Sequence, residues 1–171
     1  MPETKRLLLR NFENADAEIL FRYRNDTRCN LYQRYEDTSV EYLREFVRRY
    51  AHSCFLSKEE EQHYAIVRRA DRETVGDLSV FYSERDDCFT LGITVAPQFQ
   101  RQGYAFEMLN EVISRLQKEY PSSDMVALIE KNNAPSIGLF QKLGFAEECY
   151  AESIQSYVFT RSGKRSNLQG R

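Results

Sequence analysis

Several features that would assign a function directly are missing from this chain of 171 residues. Its four cysteines are scattered and form no C-x-x-C pair, so we expect neither a zinc site nor a disulfide framework, but free thiols. It has no N-terminal signal-type segment and no long apolar run, so we expect a cytoplasmic protein without a membrane partner. A net charge of -2 offers no basic footprint, so we expect no nucleic-acid partner.

Two glycine-rich phosphate motifs are absent as well. The chain contains no G-x-G-x-x-G fingerprint of dinucleotide-binding turns and no G-K-[ST] ending of a P-loop. What is present is the composition of an ordinary globular protein, with 42% hydrophobic and 29% charged residues. We therefore expect one domain over residues 1–161, a disordered polar tail over residues 162–171, and a monomer or homodimer.

The order of predicted elements indicates an α+β protein with one mixed sheet. Strands are predicted over residues 5–12, 63–69, 74–82 and 88–95, and the last three are joined by connections too short for a crossover helix, so they form an antiparallel meander. An amphipathic helix over residues 106–120 then allows the strand at residues 124–130 to run parallel to the one before it. Helices over residues 14–23, 39–55 and 136–143 and a final hairpin over residues 145–161 complete the prediction.

The segment that connects the strand ending at Val95 to the long helix is the most informative part of the sequence. It reads A-P-Q-F-Q-R-Q-G-Y-A over residues 96–105. A tight strand-to-helix turn leaves main-chain N–H groups unpaired at the positive end of the helix dipole, where they attract an anion such as a phosphate. Gly103 removes the side chain where that phosphate would approach, and Ala105 keeps the next position small.

At these residues the chain resembles the GNAT superfamily of acyl-CoA-dependent N-acyltransferases, whose pyrophosphate loop reads Q/R-x-x-G-x-G/A. A second match is N-A-P-S-I-G-L-F-Q-K-L-G-F over residues 133–145, which is similar to the late segment of that family. The opening T-K-R-L-L-L-R over residues 4–10 is similar to the first strand of the branch that contains the ribosomal-protein N-terminal acetyltransferases. The resemblance implies a GNAT fold, with helices on both faces of a sheet that splays apart between two parallel central strands.

The resemblance also implies acetyl-CoA as the acyl donor, and it assigns residues to the cofactor. Main-chain groups of three strand residues would pair with the pantetheine arm, the turn would bind the pyrophosphate, and Asn133 would contact the cofactor from the facing side. The residues implied in cofactor binding are Ile93, Thr94, Val95, Gln100, Arg101, Gln102, Gly103, Tyr104, Ala105, Asn133 and Ser136.

Amide formation from a thioester requires a neutral amine, a polarised carbonyl and a stabilised thiolate. Many relatives place a glutamate and a tyrosine at two positions where this chain has Thr90 and Phe140, neither of which can act as base or acid. Ser136 retains a hydroxyl that can reach the sulfur, as proposed for the ribosomal-protein branch, although a first-turn helix serine is an equally good interpretation.

The general base stays open at this point. Asp77 on the middle strand and Glu130 at the end of the parallel strand are our candidates, and further possibilities are Glu107, Tyr82 and His63. Glu107 is better explained as stabilising a helix N-terminus. A substrate that arrives already neutral would need no strong base. Since no cysteine is expected beside the thioester, we expect direct transfer in a ternary complex.

The acceptor side is expected to be built from the polar loop at residues 25–37, the second helix and the final hairpin. Tyr32, Arg34, Tyr35, Glu36 and Asp37 would suit a cationic amine, either a small molecule or a peptide. The alternative is a degenerate GNAT domain that binds acyl-CoA as a sensor or interaction module without turnover, and Thr90 and Phe140 favour it.

Overall fold

A computed structural model describes residues 1–33, 35–58 and 61–164. Within these ranges the chain forms seven strands and five helices. The strands are β1 Leu7–Arg10, β2 Gln62–Arg68, β3 Thr74–Ser83, β4 Cys88–Val95, β5 Asp124–Glu130, β6 Ala146–Ala151 and β7 Ser156–Arg161. The helices are α1 Asp16–Arg24, α2 Thr27–Asn30, α3 Val40–Arg49, α4 Tyr104–Glu119 and α5 Ala134–Lys142.

All seven strands belong to one sheet, in the order β1-β2-β3-β4-β5-β7-β6. Every neighbouring pair is antiparallel except β4 and β5, which run parallel because α4 forms the crossover between them. Their pairing covers only three residues, from Cys88–Asp124 to Thr90–Val126. Beyond Thr90 the two strands separate, which confirms the predicted splayed sheet and leaves a gap along the remainder of β4.

Because side chains alternate between the two faces along each strand, their contacts show which face each helix covers. Asp77 on β3 contacts Tyr23 of α1, and His63 on β2 contacts Phe46 of α3. Phe89, whose position on β4 directs its side chain to the other face, packs against Tyr120 directly after α4. Helices α1 and α3 therefore cover one face and α4 the other, as the fold prediction required.

Several element boundaries differ from the prediction. Helix α3 is capped by Ser39, whose hydroxyl accepts from the Tyr42 N–H, and it ends at Arg49 instead of residue 55. The loop predicted over residues 25–37 contains α2, which Asp26 caps by accepting from the Arg28 N–H. Helix propensity is a weak guide to such boundaries, because the tertiary context overrides it.

The tail that was expected to be disordered begins with residues that make hydrogen bonds to the folded domain. The Gly163 N–H donates to the Asp124 carboxylate at 2.8 Å, and the Lys164 N–H donates to the Pro121 carbonyl at 2.6 Å. The rest of that tail, residues 165–171, lies outside the described residues, and so does Arg34 of the predicted acceptor loop.

Among the described residues, no helix combines the length and apolarity needed to cross a bilayer.

Candidate active site

The turn between β4 and α4 presents a row of unpaired main-chain N–H groups. After a single 3₁₀ turn at Pro97–Phe99, the backbone adopts positive φ at Arg101 (60°) and Gly103 (81°), where α4 begins. Within the described residues, the main-chain N–H groups of residues 101–106 donate to no protein acceptor. The positive end of a 16-residue helix thus lies open to an anion.

A cation that the sequence analysis did not identify lies beside this turn. The Arg6 guanidinium is 4.6 Å from the centre of the Tyr104 ring, and its Nη1 donates to the Gln102 carbonyl at 2.9 Å. Its Nε is held 2.6 Å from the Glu107 carboxylate, which also accepts from the Thr4 hydroxyl. Because this contact joins residues about a hundred positions apart, only the fold reveals it.

Along the unpaired part of β4, the main-chain N–H and C=O groups of every second residue point into the gap. The Ala96 N–H donates to the Val75 carbonyl on β3, so Ile93 and Val95, at odd distances from Ala96 along the strand, direct their N–H groups to the gap. Thr94 differs from the expectation: its carbonyl faces β3, since a Cβ added at Gly76 would lie 2.1 Å from that oxygen. Thr94 therefore enters the site through its side chain.

The gap and the turn open into one groove of about 410 Å³. All residues implied in cofactor binding line it except Gln102, whose carbonyl is bonded to Arg6 and whose side chain donates to the Gln98 carbonyl. The sequence analysis missed several lining residues, some of them because it assigned the loop after α1 to the acceptor side alone. These are Arg28, Cys29, Gln33, Phe99, Phe106, Pro135 and Leu139, together with Tyr32, which was expected on the acceptor side.

The facing wall of the groove is the start of α5. The Asn133 side-chain oxygen caps this helix by accepting from the Ser136 N–H at 3.2 Å. Ser136 itself lines the groove, where a hydroxyl can reach a bound thioester. Phe140 is 3% exposed and packs edge-on against Phe145, so its position belongs to the core.

One expectation about this groove was wrong. The sequence analysis placed no cysteine beside the thioester, but Cys29 of α2 lines the groove with its Sγ 4.0 Å from the Val95 carbonyl oxygen. Burial, with a smaller contribution from the charge of Asp77, raises the pKa of this thiol to about 11. The thiol is therefore protonated at neutral pH and a weak nucleophile.

A second pocket, of about 320 Å³, adjoins the groove at Gln33, Ile93 and Thr94. Loop and helix residues on the α1 and α3 face contribute to its walls, and the final hairpin, which was also expected to build the acceptor side, contributes none of its lining. Its aromatic lining is Tyr35, Tyr42, Phe46 and Tyr50, and its charged lining is Arg24, Glu36, Arg49, Glu61 and Asp77.

A buried ion pair forms the floor of this second pocket. Arg24 and Asp77, 6% and 8% exposed, lie 3.2 Å apart, and the other Asp77 oxygen accepts from the Tyr23 hydroxyl. Burial and the negative charge of Asp77 raise the pKa of Tyr23, which therefore stays a donor. The Arg24 guanidinium is 4.8 Å from the Tyr35 ring centre and 4.6 Å from that of Phe46.

The other base candidates lie apart from both pockets, with one exception. Glu130 accepts from the Asn132 main-chain N–H at 2.7 Å and lines neither pocket. Tyr82 bonds to Asp87 at 2.8 Å on the far part of the sheet, and Glu107 holds Arg6. The exception is His63, which lines the second pocket and contacts Glu61 at 2.9 Å.

The comparisons of this chain with known proteins all point to one family. A family model described as an acetyltransferase (GNAT) domain matches residues 6–146. The uncharacterized N-acetyltransferase YoaA of Bacillus subtilis is 26% identical over 148 residues, which cover 85% of this chain and 82% of that protein.

Solved structures share the fold. A proposed ribosomal-protein-serine acetyltransferase from Vibrio cholerae has a TM-score of 0.78 at 20% identity, covering 94% of this chain and 95% of that one. The microcin C7 self-immunity acetyltransferase MccE, solved with acetyl-CoA and AMP, has a TM-score of 0.77 at 14% identity, covering 93% of each chain. Because the family model spans most of the sequence, the chain belongs to the GNAT family of acetyl-CoA-dependent acetyltransferases.

Proposed function

We propose that this chain transfers the acetyl group of acetyl-CoA to a primary amine, either a peptide or protein N-terminus or a small-molecule amine. One observation carries the proposal: the unpaired N–H groups of residues 101–106 open into a groove that meets, at Thr94, a pocket lined by carboxylates and aromatic rings. A thioester anchored in the groove would present its carbonyl at that junction. We assign the activity to one domain over residues 1–161, in a cytoplasm that keeps its four free thiols reduced.

The cofactor would be held by main-chain groups along two segments. The pyrophosphate needs several converging donors, which the turn from Arg101 to Ala105 supplies, and Arg101 adds a permanent cation. Ile93 and Val95 direct main-chain groups to the gap, so the pantetheine amides can pair with them as an added strand would. Asn133, whose oxygen caps α5, keeps its amide N–H groups for the cofactor.

At the junction, two groups would assist the transfer. The Val95 N–H faces the gap and can polarise the thioester carbonyl as negative charge develops on its oxygen. The Ser136 hydroxyl can donate to the sulfur as the thiolate leaves. Asp77 stays a candidate base by position, although both its oxygens are already engaged by Tyr23 and Arg24, and Glu130 stays a candidate at the end of β5.

We propose direct transfer in a ternary complex, despite the cysteine in the groove. With a pKa of about 11, the Cys29 thiol is ionised in only about one molecule in 10⁴ at pH 7, so it competes poorly with an incoming amine. Intact-mass analysis after incubation with acetyl-CoA alone should show no added acetyl group. A stable 42 Da adduct that disappears in a Cys29→Ser variant would contradict direct transfer.

A second candidate is an acyl-CoA-binding module without turnover. It is favoured by Thr90 and Phe140, which cannot ionise where many relatives carry a glutamate and a tyrosine. Both hypotheses expect acetyl-CoA to bind and to stabilise the fold by mass action.

A thiol-release assay separates them. Purified protein is incubated with acetyl-CoA and a panel of α-amino peptides, polyamines and amino sugars, and free CoA is measured. Amine-dependent release supports the transferase. Acetyl-CoA binding by calorimetry, without release for any amine, supports the module instead. Absence of binding would contradict both.

A further inference from the structure

The second pocket contains an imidazole that is placed for proton transfer, an inference that rests on the function proposed above. His63 of β2 is 13% exposed, and its ring packs against those of Phe46 and Tyr50, with ring centres 4.8 and 4.4 Å away. These contacts, with Phe46 of α3 and with Tyr50 directly after that helix, hold the ring in one orientation. The side chain is thus positioned by the fold and lines the pocket beside the junction with the cofactor groove.

The hydrogen bonds of this ring leave one nitrogen available. Nε2 lies 2.9 Å from the Glu61 carboxylate, whereas Nδ1 is buried and bonds to no described group. When Nε2 carries the hydrogen and donates it to Glu61, Nδ1 presents a lone pair, and the carboxylate stabilises the imidazolium that forms on protonation. The lowered pKa of Glu61, caused first by its bond to His63, keeps that carboxylate charged near neutral pH.

A row of three residues leads from His63 to the edge of the cofactor groove. His63 pairs with Ser79 across β2 and β3, and Ser79 pairs with Gly92 across β3 and β4. Opposed side chains of such pairs have Cβ atoms about 5 Å apart and share one face of the sheet. The Ser79 hydroxyl occupies the space above Gly92, since a Cβ added there would lie 2.5 Å from its oxygen. The hydroxyl therefore lies above Gly92, one strand away from His63, and turning the Ser79 side chain towards β2 directs it at the imidazole.

Three other ionisable groups of the pocket already have partners. Both Asp77 oxygens are engaged, Arg24 is paired with Asp77, and Glu36 accepts from the Tyr42 hydroxyl at 3.3 Å. The titratable and charged groups that line the pocket with His63 are Glu61 before its own strand, Asp77 on β3, Arg24 on α1, Tyr42 and Arg49 on α3, Tyr50 directly after α3, and Tyr35 and Glu36 in the loop before it. Of the groups described there, His63 is the one that combines a fixed ring with an unpartnered acceptor nitrogen.

We propose that His63 takes up the proton lost by the acceptor amine, through the hydroxyl of Ser79. The amine nitrogen forms the new C–N bond to the acetyl carbon, and the C–S bond breaks with its electron pair on the CoA sulfur. The ammonium proton passes to the Ser79 oxygen, and the hydroxyl proton of Ser79 moves to Nδ1 of His63 after the side chain has turned from Gly92 towards β2. The imidazolium releases its proton to solvent after the product leaves, and the thiolate is protonated to CoA.

The chain offers a matched control, because it has only two histidines and His52 is exposed outside this pocket. We would measure CoA release against pH for the wild type, His63→Gln, His52→Gln, Ser79→Ala and Ser79→Thr, using an amine that the wild type acetylates. Calorimetry with acetyl-CoA monitors the cofactor site and the fold in every variant. No variant is expected to change the dissociation constant of acetyl-CoA.

His63→Gln is expected to lower kcat by about 100-fold or more at pH 7, whereas His52→Gln leaves it unchanged. The deficit should shrink as the pH rises, because solvent hydroxide becomes abundant enough to take the ammonium proton in place of His63. Ser79→Ala should show the same pH-dependent deficit, and Ser79→Thr, which keeps the hydroxyl, should recover most of the rate.

Three results would overturn the proposal. His63→Gln could match the wild type at every pH, or its deficit could be equal at every pH, as a structural effect would produce. Ser79→Ala could be fully active, a result that decides the question even where His63→Gln does not fold. In each case the wild type still releases CoA, whereas a wild type that releases none with any amine contradicts the proposed function itself.

Discussion

Replacing Gly103 by alanine separates the anion-binding turn from its backbone geometry. Gly103 has φ of 81°, and an alanine in the left-handed region costs about 1–2 kcal/mol of folding stability. An added Cβ meets only the end of the Arg6 side chain, at the ordinary contact distance of 3.4 Å, so the folded turn can accept it. The methyl group would, however, occupy the space through which a pyrophosphate reaches the free N–H groups of the turn.

The expected loss of affinity follows from those hydrogen bonds. Each bond from an N–H to a charged oxygen contributes about 1.5–3 kcal/mol. Losing the equivalent of one such bond, about 2–3 kcal/mol, raises the dissociation constant of acetyl-CoA by about 30- to 150-fold. Isothermal titration calorimetry at fixed ionic strength measures this change, and chemical denaturation without cofactor measures the stability cost.

Gly144 supplies a closely matched control. Its φ is 83°, and its added Cβ would also meet a guanidinium, that of Arg161, at 3.5 Å. Gly144→Ala should cost about the same 1–2 kcal/mol of stability but leave acetyl-CoA binding unchanged, since Gly144 follows α5 and does not line the groove. Wild-type affinity in Gly103→Ala, or an equal loss of affinity in both variants, would refute the assignment of the turn.

Two further predictions concern stability. Gly138 lies inside α5 with no atom within 4 Å of an added Cβ, so Gly138→Ala should stabilise the fold by about 1 kcal/mol, measured by denaturation; destabilisation would show that the site is not open. Burial opposes ionisation of Glu107, but hydrogen bonds from Thr4 and Arg6 prevail and hold its pKa below 4.5. Glu107→Gln should therefore cost about 1–3 kcal/mol at pH 7. Because the depressed pKa contributes stability above 4.5 that is lost at lower pH, the difference should shrink on acidification, and a constant difference would contradict it.

The accuracy of the sequence prediction followed the range of the interactions involved. Strands β3, β4 and β5 were predicted to within a residue, because alternation and short turns encode them locally. Helix α3 was predicted six residues too long, since nothing local marks its end at Arg49. The same limit affected Cys29, which was expected away from the thioester because its closeness to Val95 depends on how α2 packs against the end of β4.

By itself, the sequence determined the strand, turn and helix around Gly103, the parallel strand that follows, and hence the family and its cofactor. Those features depend on backbone geometry and on residues that are neighbours along the chain, where glycine, proline and periodicity act directly. Only the tertiary structure decided which polar groups meet. Arg6 reaches the turn, Arg24 neutralises Asp77, and His63 joins Ser79 and Gly92 in one row because strand register and helix packing bring distant residues together.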